Sequence, residues 1–164
     1  MPSSSLEGKR VVIIGGTAGI GLAAAQAAAA AGAKVWAAGR SAGHIENAKA
    51  VANGAFEVRQ ADTHDAESLK AIFAEVGTID HLVSAAVGGE RTLKPFLEQT
   101  EEQFKAAYDK LWGYTKVVRT GAPYLAEDGA ITLVSGSPAR KIRPAQSPLS
   151  CVGASVEHLV RCLA

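Results

Sequence analysis

Cysteine is nearly absent from this 164-residue chain: there are two, Cys151 and Cys162, alongside a single methionine and six prolines. Both cysteines fall in one predicted helix, without CxxC or metal-ligand spacing, so no disulfide framework or metal site is expected. No charge of one sign prevails. Seventeen basic and sixteen acidic residues leave a net charge of +1, which gives no reason to expect nucleic acid or an anionic membrane as partner. No apolar run approaches the roughly 18 residues of a membrane span, and the start, MPSSSLEGKR, lacks the apolar core of a signal peptide. A cytoplasmic location is the plain expectation. His44, His64, His81 and His158 are scattered singly, and none pairs with a nearby nucleophile. With 48% apolar and 20% charged residues, residues 1–164 read as one globular domain that buries roughly 70% of its unfolded surface.

What the chain has instead is glycine, concentrated where it can do chemistry. Val11–Gly21 reads VVIIGGTAGIG. Four apolar residues form a short buried strand. Gly15, Gly16, Gly19 and Gly21 then turn the chain into an alanine-rich helix running to about Ala31. Small residues there let backbone N–H groups approach a pyrophosphate at the helix N-terminus, and a side chain on Gly19 or Gly21 would block it or hold the helix off the strand. Thr17, Ala18 and Ile20 complete the candidate phosphate-binding loop. A plain tight turn is the alternative.

Further strands are expected at Lys34–Ala38, Ala55–Arg59, His81–Ser84 and Ala130–Val134. Gly32 closes the first helix, and a second runs from about Ala42 to Ala52. Asp65 can cap a third, whose Leu69, Ile72, Phe73 and Val76 share one face. Thr100–Gln103 is a capping box opening one long helix with Phe104, Tyr108, Leu111, Thr115 and Val118 on one side. A basic, proline-bearing segment, Ser135–Pro148, precedes a last helix from about Leu149. Strands alternating with helices predict a doubly wound α/β fold of Rossmann type, with a parallel sheet in the order 3-2-1-4-5 and the ligand at the carboxyl ends of strands 1 and 4.

An NAD site places an acid about 20 residues beyond the glycines, to hold the ribose 2′-hydroxyl. Here Ala37, Ala38, Gly39, Arg40 and Ser41 occupy that region. Arg40 can hold a 2′-phosphate through charge-assisted hydrogen bonds and Ser41 can add a hydroxyl, so NADP is the expected cofactor, the alternative being that Arg40 is a solvated loop residue.

The spacing G-x-x-x-G-x-G (Gly15, Gly19, Gly21) resembles the short-chain dehydrogenase/reductase superfamily, and the likeness runs through nearly the whole chain. The resemblance implies that Asp62-Thr63 faces the adenine, although Asp62 could equally be a turn residue. It also implies that Ser84-Ala85-Ala86-Val87 replaces the family's Asn-Asn-Ala-Gly, with Ala85 and Ala86 beside the adenine ribose. The catalytic half departs from the family. Aligning Leu159–Ala164 with the family's L-T-R-S-L-A puts Leu149 at the tyrosine and Gly153 at the lysine of the Tyr-x-x-x-Lys pair. Gly136 takes the serine position, flanked by Ser135 and Ser137, and Lys110 stands where an asparagine belongs.

Ser135, Lys110 and Arg140 remain as candidate catalytic groups, in a pattern resembling a divergent branch of the superfamily that lacks the usual pair. Each has an ordinary structural reading as well. The resemblance implies an NADP(H)-dependent oxidoreductase acting on a small carbonyl or alcohol with an atypical proton donor. The alternative is a catalytically silent NADP(H)-binding protein serving as sensor, scaffold or subunit. The family's dimer implies a homodimer through Tyr108, Trp112, Val118, Val156, Leu159 and Leu163. Family members continue into a sixth strand, a substrate-covering helix and a seventh strand, so the resemblance also implies a piece of a longer protein.

Overall fold

The computed structural model describes residues 6–89 and 91–164. In chain order the elements are β1 (Arg10–Ile14), α1 (Gly19–Ala30), β2 (Lys34–Gly39), α2 (Ala42–Ala52), β3 (Glu57–Gln60), α3 (Ala66–Val76), β4 (Ile79–Ser84), α4 (Glu101–Ala107), α5 (Asp109–Gly121), β5 (Leu125–Leu133) and α6 (Ser147–Leu163). The sheet runs β3-β2-β1-β4-β5, the order expected from right-handed crossovers. The pairings of β1 with β2 and β4, and of β2 with β3, are parallel, with Ile14 opposite Ala38 on one side and Ser84 on the other.

The chain divides into two compact units: residues 1–86 with 116–132, and residues 87–115 with 133–164. In the first unit β1 feeds two cores by simple alternation. Val11 and Ile13 join Ala25, Ala28, Val35, Ala48 and Val58 on one face of the sheet. Val12 and Ile14 join Leu69, Ile72, Phe73, Leu82 and Val117 on the other. The predicted face of α3 is buried, and Asp65 caps that helix by accepting the Glu67 N–H at 3.0 Å. At the end of α1, Gly32 takes φ +90°, the left-handed conformation that lets the chain turn back into β2. No helix among the described residues is long and apolar enough to cross a membrane.

Four features depart from expectation. The predicted long helix is two: α4 ends at Ala107, the cap residue Tyr108 donates its N–H to the Lys105 carbonyl at 2.9 Å, and α5 starts at Asp109. The loop presses on this junction, since a Cβ on Gly88 would lie 2.3 Å from the Lys110 nitrogen. The Thr100–Gln103 capping box is present. The buried side chains of α5 are Tyr114 and Val117, whereas Phe104, Tyr108, Leu111, Thr115 and Val118 are half-buried. The strand expected over Ala130–Val134 runs from Leu125 to Leu133, and the Val134 carbonyl beyond it accepts the Tyr114 hydroxyl at 2.9 Å. Val156 is 1% exposed within the chain, so it is unavailable to the expected dimer surface.

Candidate functional site

The glycine loop leaves no room for side chains at three of its positions, one being Gly16, whose Cβ would lie 2.7 Å from the Ile13 carbonyl oxygen. Gly15 has φ +84°, and a Cβ there would lie 2.3 Å from the Ala86 nitrogen; one on Gly21 would lie 2.0 Å from the Gly15 carbonyl oxygen. All three contacts are with backbone, which cannot step aside. Gly19 has open space on the protein side. Nothing lies within 4 Å of its Cβ position, and its φ of +52° is what favours glycine there. The Gly15 and Gly16 N–H groups both donate to the Ala38 carbonyl, at 2.8 and 2.9 Å, tying the loop to the end of β2. The N-cap of α1 is Ala18, which gives no side-chain hydrogen bond. First-turn N–H groups without a side-chain cap, with the positive end of the helix dipole, suit an anion.

Around this loop the other predicted residues take definite positions. Ala85 donates its N–H to the Ile14 carbonyl at 2.8 Å, carrying the strand pairing one residue past Ser84, and Ala86 abuts Gly15. Ser84 is fully buried and its hydroxyl has no protein partner. Arg40 is exposed, with Nη1 3.8 Å from Asp62 Oδ2. Asp62 also accepts the His64 N–H at 2.9 Å through Oδ1, so the turn role is present and its second oxygen faces Arg40. A glycine cradle, an uncapped helix N-terminus and an exposed guanidinium together fit a dinucleotide's phosphates.

The second unit holds the candidate catalytic groups. Ser135 donates its hydroxyl to the Gly153 carbonyl at 3.1 Å. A Cβ on Gly153 would lie 2.9 Å from the Ala139 Cβ and 3.4 Å from Ser135 Oγ. Arg140 is highly exposed and pairs with both carboxylate oxygens of Glu157, at 3.0 and 3.1 Å. Lys110 is the exception. Its ammonium lies 5.3 Å from the centre of the Tyr114 ring, and burial, then the neighbouring Arg91 charge, holds its pKa below the usual lysine value. Burial pushes the Tyr114 phenol well above its ordinary range. The contact of Lys110 with buried Tyr114 was not expected from the sequence. The Lys110-x-x-x-Tyr114 spacing on a helix was the available signal.

A family model described as enoyl-(acyl carrier protein) reductase matches residues 15–164. The chain belongs to the short-chain dehydrogenase/reductase superfamily. A curated relative, the short-chain dehydrogenase/reductase prx4 of Penicillium rubens, is 39% identical over 98 residues, covering 60% of this chain and 28% of that protein. This chain thus matches less than a third of the curated relative's length. Among solved structures, a short chain dehydrogenase/reductase family protein is 30% identical with a TM-score of 0.82, covering 96% of this chain and 68% of the other. A short-chain dehydrogenase from Streptomyces avermitilis is 25% identical, with a TM-score of 0.82 over 96% of this chain and 60% of that one.

Superfamily members are oxidoreductases that use nicotinamide dinucleotides, and the loop geometry agrees with that. Leu149 and Gly153 stand at the two positions where the resemblance leads one to expect the tyrosine and the lysine. Leu149 cannot donate a proton, and the space beside Gly153 is taken by Ala139.

Proposed function

We propose that the chain binds NADP(H) and serves as an oxidoreductase on a small carbonyl or alcohol, with Lys110 as the atypical proton donor. The observation that carries the cofactor choice is the end of β2. Gly39 brings no acid there, while Arg40 is exposed and angled toward Asp62. A fixed positive charge favours a 2′-phosphate, and an acid would repel it. Gly15, Thr17, Ala18, Gly19, Ile20 and Gly21 would hold the pyrophosphate; Arg40 and Ser41 the 2′-phosphate; and Asp62, Thr63, Ala85 and Ala86 the adenosine.

The nucleotide, when bound, supplies or accepts the hydride. In reduction the carbonyl oxygen then needs a proton, and Lys110 can give one because its depressed pKa makes the ammonium a stronger acid than an ordinary lysine. Ser135 has its hydrogen directed at the Gly153 carbonyl, so it can offer a substrate only a lone pair. Arg140 would have to leave Glu157 to act.

The test is NADPH consumption over a panel of small carbonyls, and NADP reduction over the matching alcohols. Lys110→Met should lower turnover about 10²- to 10⁴-fold with nucleotide affinity unchanged. NADPH that binds but is never consumed would overturn the enzymatic reading.

That outcome would leave the second reading, a silent NADP(H)-binding sensor, scaffold or subunit. The filled space at Gly153 favours it. A homodimer and a cytoplasmic location belong to the same proposal. Support for the dimer comes from α5 and α6, where Leu111, Trp112, Leu159 and Cys162 line an apolar groove of about 530 Å³, and Trp112 and Leu163 are exposed.

A further inference from the structure

Gly39 is the last residue of β2, paired in register with Gln60. A Cβ built on it would lie 2.0 Å from Thr17 Oγ1, 2.9 Å from Thr17 Cγ2 and 3.0 Å from Thr17 Cβ. Neither side can give way. Thr17 is 4% exposed, so its side chain cannot swing into solvent, and a β-branched residue has few χ1 choices. The strand end is pinned too: the Ala38 carbonyl accepts two N–H groups of the glycine loop, and the Gly39 carbonyl accepts the Ala61 N–H at 3.0 Å. The carboxylate that would select a free ribose 2′-hydroxyl belongs at this strand end.

We propose that Thr17 is a specificity-determining residue: its side chain fills the volume that an acid at position 39 needs, and so keeps the strand end open to a 2′-phosphate on Arg40. The inference rests on the NADP(H) reading and adds a steric determinant to its electrostatic one. Arg40 supplies the attraction for the extra phosphate. Thr17 excludes the side chain that would repel it and accept the 2′-hydroxyl of NADH.

The experiment compares NADPH and NADH binding, by fluorescence and thermal-shift titration, in the wild type, Gly39→Asp, Thr17→Ala and the double variant. Gly39→Asp alone should melt lower and bind both nucleotides at least about tenfold more weakly. The double variant should melt close to Thr17→Ala and prefer NADH, a swing of about 10- to 100-fold, the scale of a hydrogen bond to a charged group. Gly39→Asp alone binding NADH as tightly as the double variant would overturn the proposal. So would a double variant that keeps the wild-type preference.

Gly39→Ala, placed in the wild-type and Thr17→Ala backgrounds and unfolded in urea, guards against an aspartate that disrupts folding. The added methyl at 39 should cost much less in the Thr17→Ala background; equal cost in both backgrounds would show that Thr17 does not hold the volume and would overturn the proposal. A wild-type chain binding neither nucleotide would instead overturn the NADP(H) reading, and the specificity role with it.

Discussion

Gly39 in the first unit and Gly153 in the second stand at comparable points. On the reading proposed above, each sits where a functional side chain would be expected, an acid at the strand end in one case and a lysine in the other. In each, a neighbour has taken the space: Thr17 beside Gly39 and Ala139 beside Gly153. What differs is the residue next door. After Gly39 comes Arg40, exposed and able to meet a phosphate. Around Gly153, the Ser135 hydroxyl is spent on the Gly153 carbonyl and Arg140 is held by Glu157. Under the proposed function, a filled position keeps a role only where a neighbour can carry it, and in the second unit Lys110 is the remaining candidate.

The comparison breaks most visibly at the loop. Gly21→Val should cost about 3 kcal/mol or more of stability in urea unfolding, since backbone occupies the space. Gly43→Ala, on an exposed part of α2 with nothing near its Cβ position, should gain up to about 1 kcal/mol. Equal effects at the two glycines would mean that the loop is not tightly packed.

Restoring the family pair should fail. Leu149→Tyr with Gly153→Lys is expected to cost about 1–3 kcal/mol, because the new Cβ crowds Ala139 and Ser135, and to give no carbonyl reduction above the wild type. A gain in reduction with an unchanged melting temperature would show that the second unit is still built for the usual residues.

Lys110 gives a smaller effect with a definite sign. Its folded pKa lies below its unfolded value, so the folded state binds fewer protons between the two and stability rises with pH across that window. Lys110→Met should therefore be more stable than the wild type at neutral pH. The advantage should shrink as pH rises toward the ordinary lysine value of 10.5, as read by urea unfolding at several pH values. An advantage that grew with pH would contradict the burial of this ammonium.

Arg140→Ala should change least, by less than about 1 kcal/mol, because its pair with Glu157 is exposed on the arginine side. A larger loss would make that pair a structural clamp of α6.

The sheet was legible because its signals are local: apolar, β-branched runs broken by glycine, and helices marked by Asp65 and Thr100. The junction at Tyr108 was not, since the apolar pattern of α4 and α5 is continuous and the break lies where the Gly88 backbone presses on the helix. Tyr114 and Val117 were missed as the buried face for a related reason, as α5 has its own start and phase. The pairings of Thr17 with Gly39 and of Ser135 with Gly153 join residues far apart in the chain, and no spacing rule anticipates such contacts. The crowded loop glycines and the exposed Arg40 were legible as features because they depend on backbone and charge at one strand end.

The most direct test is a paired titration of NADPH and NADH against the wild type and Arg40→Ala. The account predicts NADPH binding tighter than NADH by about 10- to 100-fold in the wild type, and near-equal affinities in the variant. Equal affinities in the wild type, or a preference untouched by loss of Arg40, would contradict it.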